Sequence, residues 1–430
     1  MKWTFRGEAV TLPHVWTPPD ISVEDEGPYV YEGRASLERP MWLVFEGVSY
    51  AADVRVNGKF AVRHEGIWDA FAVPLPAGEV VVEVSVTKNG GPTFPVREVL
   101  SGFLPYVYQT WGGIHGDVWL SETEPILERP AASPAVEVVG TRLLVEGQPF
   151  WMRGALTWGW YPETGHPHPS AEVIEREIAQ MKAMGFNTVK FCLWLPPHRY
   201  LEALRRHAMW AWLELPVWLP SADPAAQARW VEEIQRIVRQ YRHHPAVIAW
   251  TIGCELSQET TAEWRRDLTV WVREATGCPL VKDNSGGAEM YGGDPREFGT
   301  FADFHPYCDG PFFPAVLETL RHGPRRRVPI LLGETNDYDQ HRSLLSLKQR
   351  DHDWAADDPR RNAQGVRWQF DLPRILHRSD EPLTKPGSED RNELLAARSR
   401  SKAHFLRRRI AESVRINGDI AGWVLTGWRH

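Results

Sequence analysis

The chain has 430 residues and a formal net charge of −7, with acidic and basic residues mixed along its length. A chain of this size buries a large apolar core, and its mixed charge excludes a basic surface of the kind that binds nucleic acid. The four cysteines are too few and too widely spaced for a disulfide framework or a metal-binding motif, which favours a reducing, cytoplasmic compartment and predicts no metal site and no cofactor. The segment MKWTFRGEAV lacks the apolar stretch of a signal peptide, and no run of about 18 apolar residues predicts a membrane span.

Residues 1–125 show the pattern of an all-β domain. Runs such as MWLVFEGV, ADVRVNG and GEVVVEVSVT are short, rich in β-branched residues and bounded by Gly, Pro or Asn. Asn57-Gly58, with Val54 and Val56 before it and Phe60 after it, is a strong hairpin signal. We therefore predict a β-sandwich of the jelly-roll type for residues 1–125, and a linker for the proline-containing residues 126–142.

Residues 143–430 alternate apolar, strand-length runs with amphipathic helices, which is typical of parallel β/α units. The eight predicted strands lie in the runs PFWMRGAL, NTVKFCLW, MWAWLELPVW, AVIAWTIG, CPLVKDN, FADFHPY, VPILLGE and AGWVLTGW. Eight such units in this length predict a (β/α)8 barrel. The alternative, a doubly wound open sheet, would have a Gly-rich phosphate turn after its first strand, and RGALTWGW supplies none.

Two irregularities interrupt this barrel pattern. About 80 residues separate predicted strands seven and eight, and the polar residues 340–390 among them are expected to form an insertion or a lid over the strand ends. The sequence stops at His430, directly after the predicted eighth strand, so the sequence predicts a barrel that is truncated there.

A pair of glutamates marks the ends of two barrel strands. Glu255 follows the fourth strand and Glu334 ends the seventh, and catalytic groups of such barrels lie at the C-terminal ends of strands. Cleavage of a glycosidic bond needs two carboxyl groups, one that protonates the leaving oxygen and one that attacks the anomeric carbon. The pair therefore predicts a retaining glycoside hydrolase.

Several motifs resemble glycoside hydrolase family 2 (GH2) in the expected order. HHPAVIAWTIGCELS is similar to the acid/base strand of that family, and VPILLGETND to its nucleophile strand. VRVNGKFAVRHEGIWDAF and QTWGGIHGDVWL resemble its sugar-binding jelly roll, and FWMRGAL with QMKAMGFNTVKF resembles the start of its barrel. The resemblance implies that Glu255 is the acid/base, that Glu334 is the nucleophile, and that the enzyme trims terminal β-linked sugars without a metal in its chemistry.

The sequence also departs from the family. The family has Asn before the acid/base, where it holds the sugar 2-hydroxyl, whereas this chain has Cys254, and a thiol is a weak hydrogen-bonding group. The family's immunoglobulin-like domain between jelly roll and barrel is missing as well. These departures leave open a non-catalytic carbohydrate-binding protein on a degenerate hydrolase scaffold. A structural or interaction module is the third alternative.

Further polar and aromatic residues near predicted strand ends are candidates for contact with a carbohydrate. By resemblance, Tyr307 hydrogen-bonds the nucleophile and Trp428 forms a platform under the sugar, while Arg153 is expected to orient a catalytic carboxylate. The predicted substrate-binding residues are Cys254, Trp194, Asp283, Asn284, His305, Tyr307, Trp428 and Arg153. The expected partner is a carbohydrate substrate, with no nucleic acid and no membrane, and a homo-oligomer is left open.

Overall fold

The computed structural model describes residues 1–430 except 17–20, 22–24, 101–109, 162–163, 219–220, 257–259, 287–297, 309, 323–326, 336–337, 339, 351–374, 377, 379 and 430. Within these residues, an N-terminal β-sandwich is followed by a parallel, eight-stranded and nearly closed barrel. This confirms the predicted fold class and excludes the doubly wound sheet. No helix in the described part of the chain is both long and apolar enough to cross a membrane.

The N-terminal domain consists of antiparallel sheets that face each other across an apolar core. Its strands are β1 (Lys2–Phe5), β2 (Glu8–Val10), β3 (His14–Trp16), β4 (Tyr29–Leu37), β5 (Met41–Phe45), β6 (Ala51–Val56), β7 (Lys59–Glu65), β8 (Phe71–Leu75), β9 (Gly78–Thr87), β10 (Gly112–Ile114) and β11 (Val118–Ser121). A six-stranded sheet in the order β2-β1-β4-β9-β6-β7 opposes the sheets β11-β5-β8 and β10-β3. In β9, alternate valines from Val80 to Val86 are buried, which is the period-two pattern of a half-buried strand.

A small three-stranded sheet connects the sandwich to the barrel. It consists of β12 (Val136–Val139), β13 (Arg142–Val145) and β14 (Gln148–Phe150), in that order. Glu146 and Gly147 form the turn between β13 and β14, and both have positive φ angles, as the tight hairpin turn requires. The last part of the predicted linker therefore forms a strand that pairs with β13.

The barrel strands lie in chain order around the axis. They are β15 (Met152–Thr157), β16 (Thr188–Cys192), β17 (Trp210–Glu214), β18 (Val247–Thr251), β19 (Val281–Lys282), β20 (Ala302–Phe304), β21 (Ile330–Thr335) and β22 (Ile420–Arg429). The first and eighth strands, β15 and β22, pair in parallel. Between the fifth and sixth strands, in the described residues, the amide of Thr300 donates to the carbonyl oxygen of Val281 at 3.0 Å.

Helices follow most barrel strands and bury one face each. The described helices are α1 (Ala171–Ala183), α2 (His198–Arg206), α3 (Pro224–Tyr241), α4 (Ala262–Thr276), α5 (Phe313–His322), α6 (Leu344–Arg350) and α7 (Glu389–Ile416). Asp223 caps α3, with Pro224 in its first turn, and Gly277 ends α4 in the left-handed conformation, as their residue types predict. Residues 351–374 of the predicted insertion, and His430, lie outside the described residues.

Direct contacts join the sandwich to helix α3 of the barrel. The side-chain oxygen of Gln240 accepts from the amide of Ala70 at 2.8 Å, and the side-chain nitrogen donates to the carbonyl oxygen of Ala70 at 2.9 Å. Arg236 donates to the buried Asp69 at 2.7 Å. The apolar core also continues from the sandwich, through Trp68, into the barrel. The sandwich therefore packs directly against the barrel, through α3 and through a shared apolar core.

Candidate active site

The two glutamates singled out in the sequence lie at the C-terminal ends of strands four and seven. Glu255 follows β18 and has a positive φ of 47°, a backbone conformation that a residue other than glycine adopts only under constraint. Its amide donates to the carbonyl oxygen of Ser285 at 2.8 Å, which fixes this turn. Glu334 lies within β21 and is buried. Backbone pairing therefore positions both carboxyl groups.

Tyr307 holds the carboxyl group of Glu334 from one side. Its hydroxyl donates to Oε2 of Glu334 at 2.5 Å and also lies 3.1 Å from Oγ1 of Thr426. Burial raises the pKa of Glu334, and the neighbouring carboxylates of Glu255 and Glu214 raise it further, although nearby cations oppose the shift. A short hydrogen bond from a hydroxyl stabilises the ionised form of such a buried carboxyl group.

His305 connects the two glutamates. Its Nδ1 lies 2.9 Å from Oε1 of Glu255, and its Nε2 lies 3.8 Å from Oε1 of Glu334. Burial opposes a charge on this ring, but the carboxylates of Glu334 and Glu255 outweigh burial and raise the pKa of His305 to about 9. At neutral pH the ring is therefore a cation between two carboxyl groups, and both glutamates face the same space.

A buried polar network supports this space from inside the barrel. Nζ of Lys190 lies 2.8 Å from Oε2 of Glu214 and donates to Oγ of Ser285 at 2.9 Å. Ser285 donates to Oδ2 of Asp303 at 2.6 Å, and its Oγ also lies 2.9 Å from Nε2 of His305. Burial disfavours the charged lysine, but Glu214, Asp303 and Glu334 raise the pKa of Lys190 well above its ordinary value. The network thus fixes the imidazole ring that contacts both glutamates.

Two thiols line the same interior. Sγ of Cys192 lies 2.8 Å from Oε1 of Glu214 and 4.0 Å from Oε1 of Glu334. Sγ of Cys254 lies 3.6 Å from the same Oε1 of Glu334. Burial raises the pKa of Cys192, and contact with Cys192 followed by burial raises the pKa of Cys254. One potential ligand atom from each of these four residues lies within 4.8 Å of the others, so the group has the dimensions of a metal site.

The side chains of Asp283 and Asn284 have partners within the protein. The side chain of Asn284 accepts from the amide of Leu256 at 2.7 Å and donates to its carbonyl oxygen at 3.0 Å. Asp283 pairs with Arg265 and with Lys282 and is fully buried. Asn284 therefore shapes the turn after Glu255, and Asp283 forms ion pairs with two cations.

Two further residues predicted to contact substrate have other partners in the described structure. Arg153 lies at the N-terminal end of β15, exposed to solvent, and its Nε donates to the carbonyl oxygen of Gly185, so it is at the end of the barrel away from the glutamates. Trp194 is completely buried, and its ring nitrogen donates to the carbonyl oxygen of Thr157 at 2.8 Å. No face of this ring is open to a sugar. Trp428 is half-buried near the end of β22, and its predicted platform role stays a prediction.

Sequence reasoning missed several members of the site. It gave Ser285, Asp303, Cys192 and Thr426 no role. A signal was available, because Lys190 and Cys192 alternate on β16, and Asp303 and His305 alternate at β20. Polar residues with this period in a buried strand all point into the barrel.

Comparison with curated proteins finds local similarity to β-galactosidases. No family model matches it. The β-galactosidase of Aeromonas hydrophila is 30% identical over 169 residues, which is 36% of this chain and 16% of that protein. The β-galactosidase of Photobacterium profundum is 24% identical over 161 residues, again 36% of this chain and 15% of that protein. The matched region thus spans about a sixth of the length of these relatives.

Solved structures resemble the chain over almost its whole length. A GH2 β-galacturonidase from Eisenbergiella tayi, solved with galacturonate, superposes with a TM-score of 0.68 at 12% identity and covers 99% of this chain and 88% of that one. The chain is therefore similar in fold to this GH2 protein. A β-glucuronidase from Ruminococcus gnavus, solved with D-glucuronic acid, superposes with a TM-score of 0.64 at 10% identity, over 98% of this chain and 85% of that one. At these identities the superpositions establish the shared fold.

Proposed function

We propose that the chain is a retaining glycosidase that releases terminal β-linked sugars, with Glu334 as the nucleophile and Glu255 as the acid/base. One observation carries this proposal. Carboxyl groups from the ends of strands four and seven face one space, bridged by His305, and only one of them, Glu334, receives the hydroxyl of Tyr307. Relatives named β-galactosidase and β-galacturonidase agree with a sugar substrate.

The first chemical step would form a bond between Glu334 and the anomeric carbon while the glycosidic bond breaks. The leaving oxygen takes a proton from Glu255, and the positive charge that develops on the sugar is stabilised by the carboxylate of Glu334. Tyr307 and His305 favour the ionised form of that carboxylate, against the burial that raises its pKa, and orient it before the attack.

In the second step Glu255, having lost its proton, takes one from a water molecule, and the resulting hydroxide displaces Glu334 from the sugar. Both displacements invert the anomeric carbon, so that the product keeps the configuration of the substrate. His305 stays within 2.9 Å of Glu255 and can share its proton with that carboxylate during the exchange.

The test is hydrolysis of 4-nitrophenyl β-glycosides of galactose, glucose, mannose, glucuronic acid and galacturonic acid, with the anomer of the first product read by NMR. We expect at least one substrate to be hydrolysed with retention, and Glu334→Gln to lower kcat by at least about a thousandfold. Glu263→Gln, at an exposed position in the first turn of α4, is the matched control and should behave as the unmodified protein. Release of the opposite anomer, or full activity of Glu334→Gln, would refute the assignment.

A carbohydrate-binding protein without hydrolytic activity is the second candidate, and Cys254 favours it. The thiol of Cys254 contacts Oε1 of Glu334 at 3.6 Å, where the family resemblance implies an amide that holds the sugar. Calorimetry with the free sugars separates the two functions, because binding of a sugar without turnover of any of its aryl glycosides would support this candidate.

A further inference from the structure

Four potential metal-ligating side chains converge in the barrel interior, and Glu334 is one of them. Cys192 ends β16, Glu214 ends β17, Cys254 follows β18 and Glu334 lies in β21. One ligand atom from each lies within 4.8 Å of the other three, and all four side chains are buried. The proposed hydrolysis uses Glu334, but it gives neither thiol a task.

The sulfur–oxygen distances at Glu334 are close to those of a tetrahedral thiolate–carboxylate site. With Zn–S bonds of about 2.3 Å and Zn–O bonds of about 2.0 Å, a tetrahedral ion separates sulfur from oxygen by roughly 3.5 Å. Oε1 of Glu334 lies 3.6 Å from Sγ of Cys254 and 4.0 Å from Sγ of Cys192. Oε1 of Glu214, at 2.8 Å from Sγ of Cys192, would have to move outward by roughly 0.7 Å to reach the same spacing.

A disulfide does not join the two thiols, because Cys192 and Cys254 are both free and buried. Their sulfur atoms lie within 4.8 Å of each other, a separation that a shared metal ion accommodates.

Two polar groups lie next to the carboxylates of this cluster. Nζ of Lys190 lies 2.8 Å from Oε2 of Glu214, and Nε2 of His305 lies 3.8 Å from Oε1 of Glu334. They would hold both carboxylates in place, as outer partners of metal ligands do.

We propose that Cys192, Glu214, Cys254 and Glu334 bind one thiophilic divalent cation of the zinc type, and that this cation and hydrolysis by Glu334 exclude each other. The ion would occupy Oε1 of Glu334, so the carboxylate could no longer attack a sugar. Binding of the ion stands on geometry alone. The exclusion of hydrolysis rests on the proposed function.

Cobalt(II) titration tests the binding by itself, without any assay of activity. We expect the reduced, chelator-treated full chain to bind one Co²⁺, with a sulfur-to-cobalt charge-transfer band and the intense visible bands of tetrahedral cobalt. Cys254→Ser and Cys192→Ser should each lose the charge-transfer intensity in part and weaken binding at least roughly a hundredfold. Cys278→Ser, a buried thiol outside the group, should leave the spectrum unchanged. If no thiolate band appears, or if Cys254→Ser keeps the full band, the site does not exist.

Zinc inhibition tests the exclusion. On the best aryl glycoside, Zn²⁺ should inhibit the protein and a chelator should restore it, whereas Cys254→Asn should hydrolyse the substrate without zinc inhibition. Circular dichroism shows which variants fold. If Cys192→Ser does not fold, the test rests on Cys254→Asn. Activation by zinc would refute the exclusion. A chain that binds Co²⁺ through its thiols but hydrolyses nothing would refute the proposed function and leave the metal site standing.

Discussion

The hydroxyl of Tyr307 and Oε2 of Glu334 are 2.5 Å apart, across the ends of two neighbouring barrel strands. The tyrosine follows β20 and the glutamate lies in β21, which pair in parallel. The paired strands bring the segment that follows β20 close to Glu334, and a hydrogen bond that is already formed costs little reorganisation during catalysis.

Tyr307→Phe should lower kcat by roughly 10- to 100-fold with little change in KM, because a hydrogen bond to a charged group contributes about 1.5–3 kcal/mol. Steady-state kinetics on the best aryl glycoside gives both constants. Thr426→Val removes the other partner of the same hydroxyl, at 3.1 Å, and keeps the bond to Glu334. Equal losses in both variants would show that the tyrosine acts through packing.

Glu255→Ala should lower kcat by about 10²- to 10⁴-fold on substrates with poor leaving groups, and much less on 2,4-dinitrophenyl glycosides, which need no proton. Azide should restore turnover and yield a glycosyl azide of retained configuration, because it enters the space that the base has left. Glu334→Ala, treated in the same way, should yield the inverted azide. NMR identifies the products. If the two configurations were reversed, Glu255 would be the nucleophile and Glu334 the acid/base.

Replacing one partner of the Lys190–Glu214 ion pair should lower the free energy of unfolding more than replacing both. Both side chains are fully buried, and either Lys190→Met or Glu214→Gln leaves the other charge without its partner. Each single variant should lose about 3–5 kcal/mol of unfolding free energy, and the double variant should recover part of it. Urea unfolding at neutral pH measures this cycle, and strictly additive losses would contradict the coupling.

A pair of histidines outside the site should make the fold sensitive to acid. Nδ1 of His198 and Nε2 of His244 lie 2.7 Å apart, and burial lowers the pKa of His198 to about 3 and that of His244 to about 2. The unfolded chain therefore binds more protons below pH ~6.5, so stability is complete above that pH and falls as the pH decreases, by up to about 1.4 kcal/mol per pH unit for each proton.

His244→Gln should flatten this loss of stability, which is measured by urea unfolding at a series of pH values between 6.5 and 4.5. His404→Gln, at an exposed position on α7, serves as the control. An unchanged slope in His244→Gln would show that this pair is not the source of the acid sensitivity.

Strand ends were predictable from the sequence because buried parallel strands are continuous apolar runs that stop at polar residues. Glu255, His305 and Glu334 follow such runs, and the structure brings all three together. Arg153 was misplaced because a strand of six residues has two ends, and only the register with β22 shows that this residue lies at the N-terminal one.

The inward-facing network could not be predicted in the same way. The period of two marks residues of β16 and β20 that face inward, but register shifts interrupt the pairing of β17 with β18 and of β21 with β22. Which residues of different strands meet inside the barrel therefore does not follow from counting. A cluster whose members lie in or after four different strands also has no short sequence motif. Cys192 and Cys254 are 62 residues apart in the sequence and come together only in the folded barrel.

The amide group of Gln240, paired in both directions with the backbone of Ala70, extends the hydrogen bonding of one domain into the other. The two parts thus share hydrogen bonds, and heating should produce a single heat-absorption peak for both. A graft that moved the sandwich to another barrel would have to carry with it the face of α3 that includes Arg236 and Gln240.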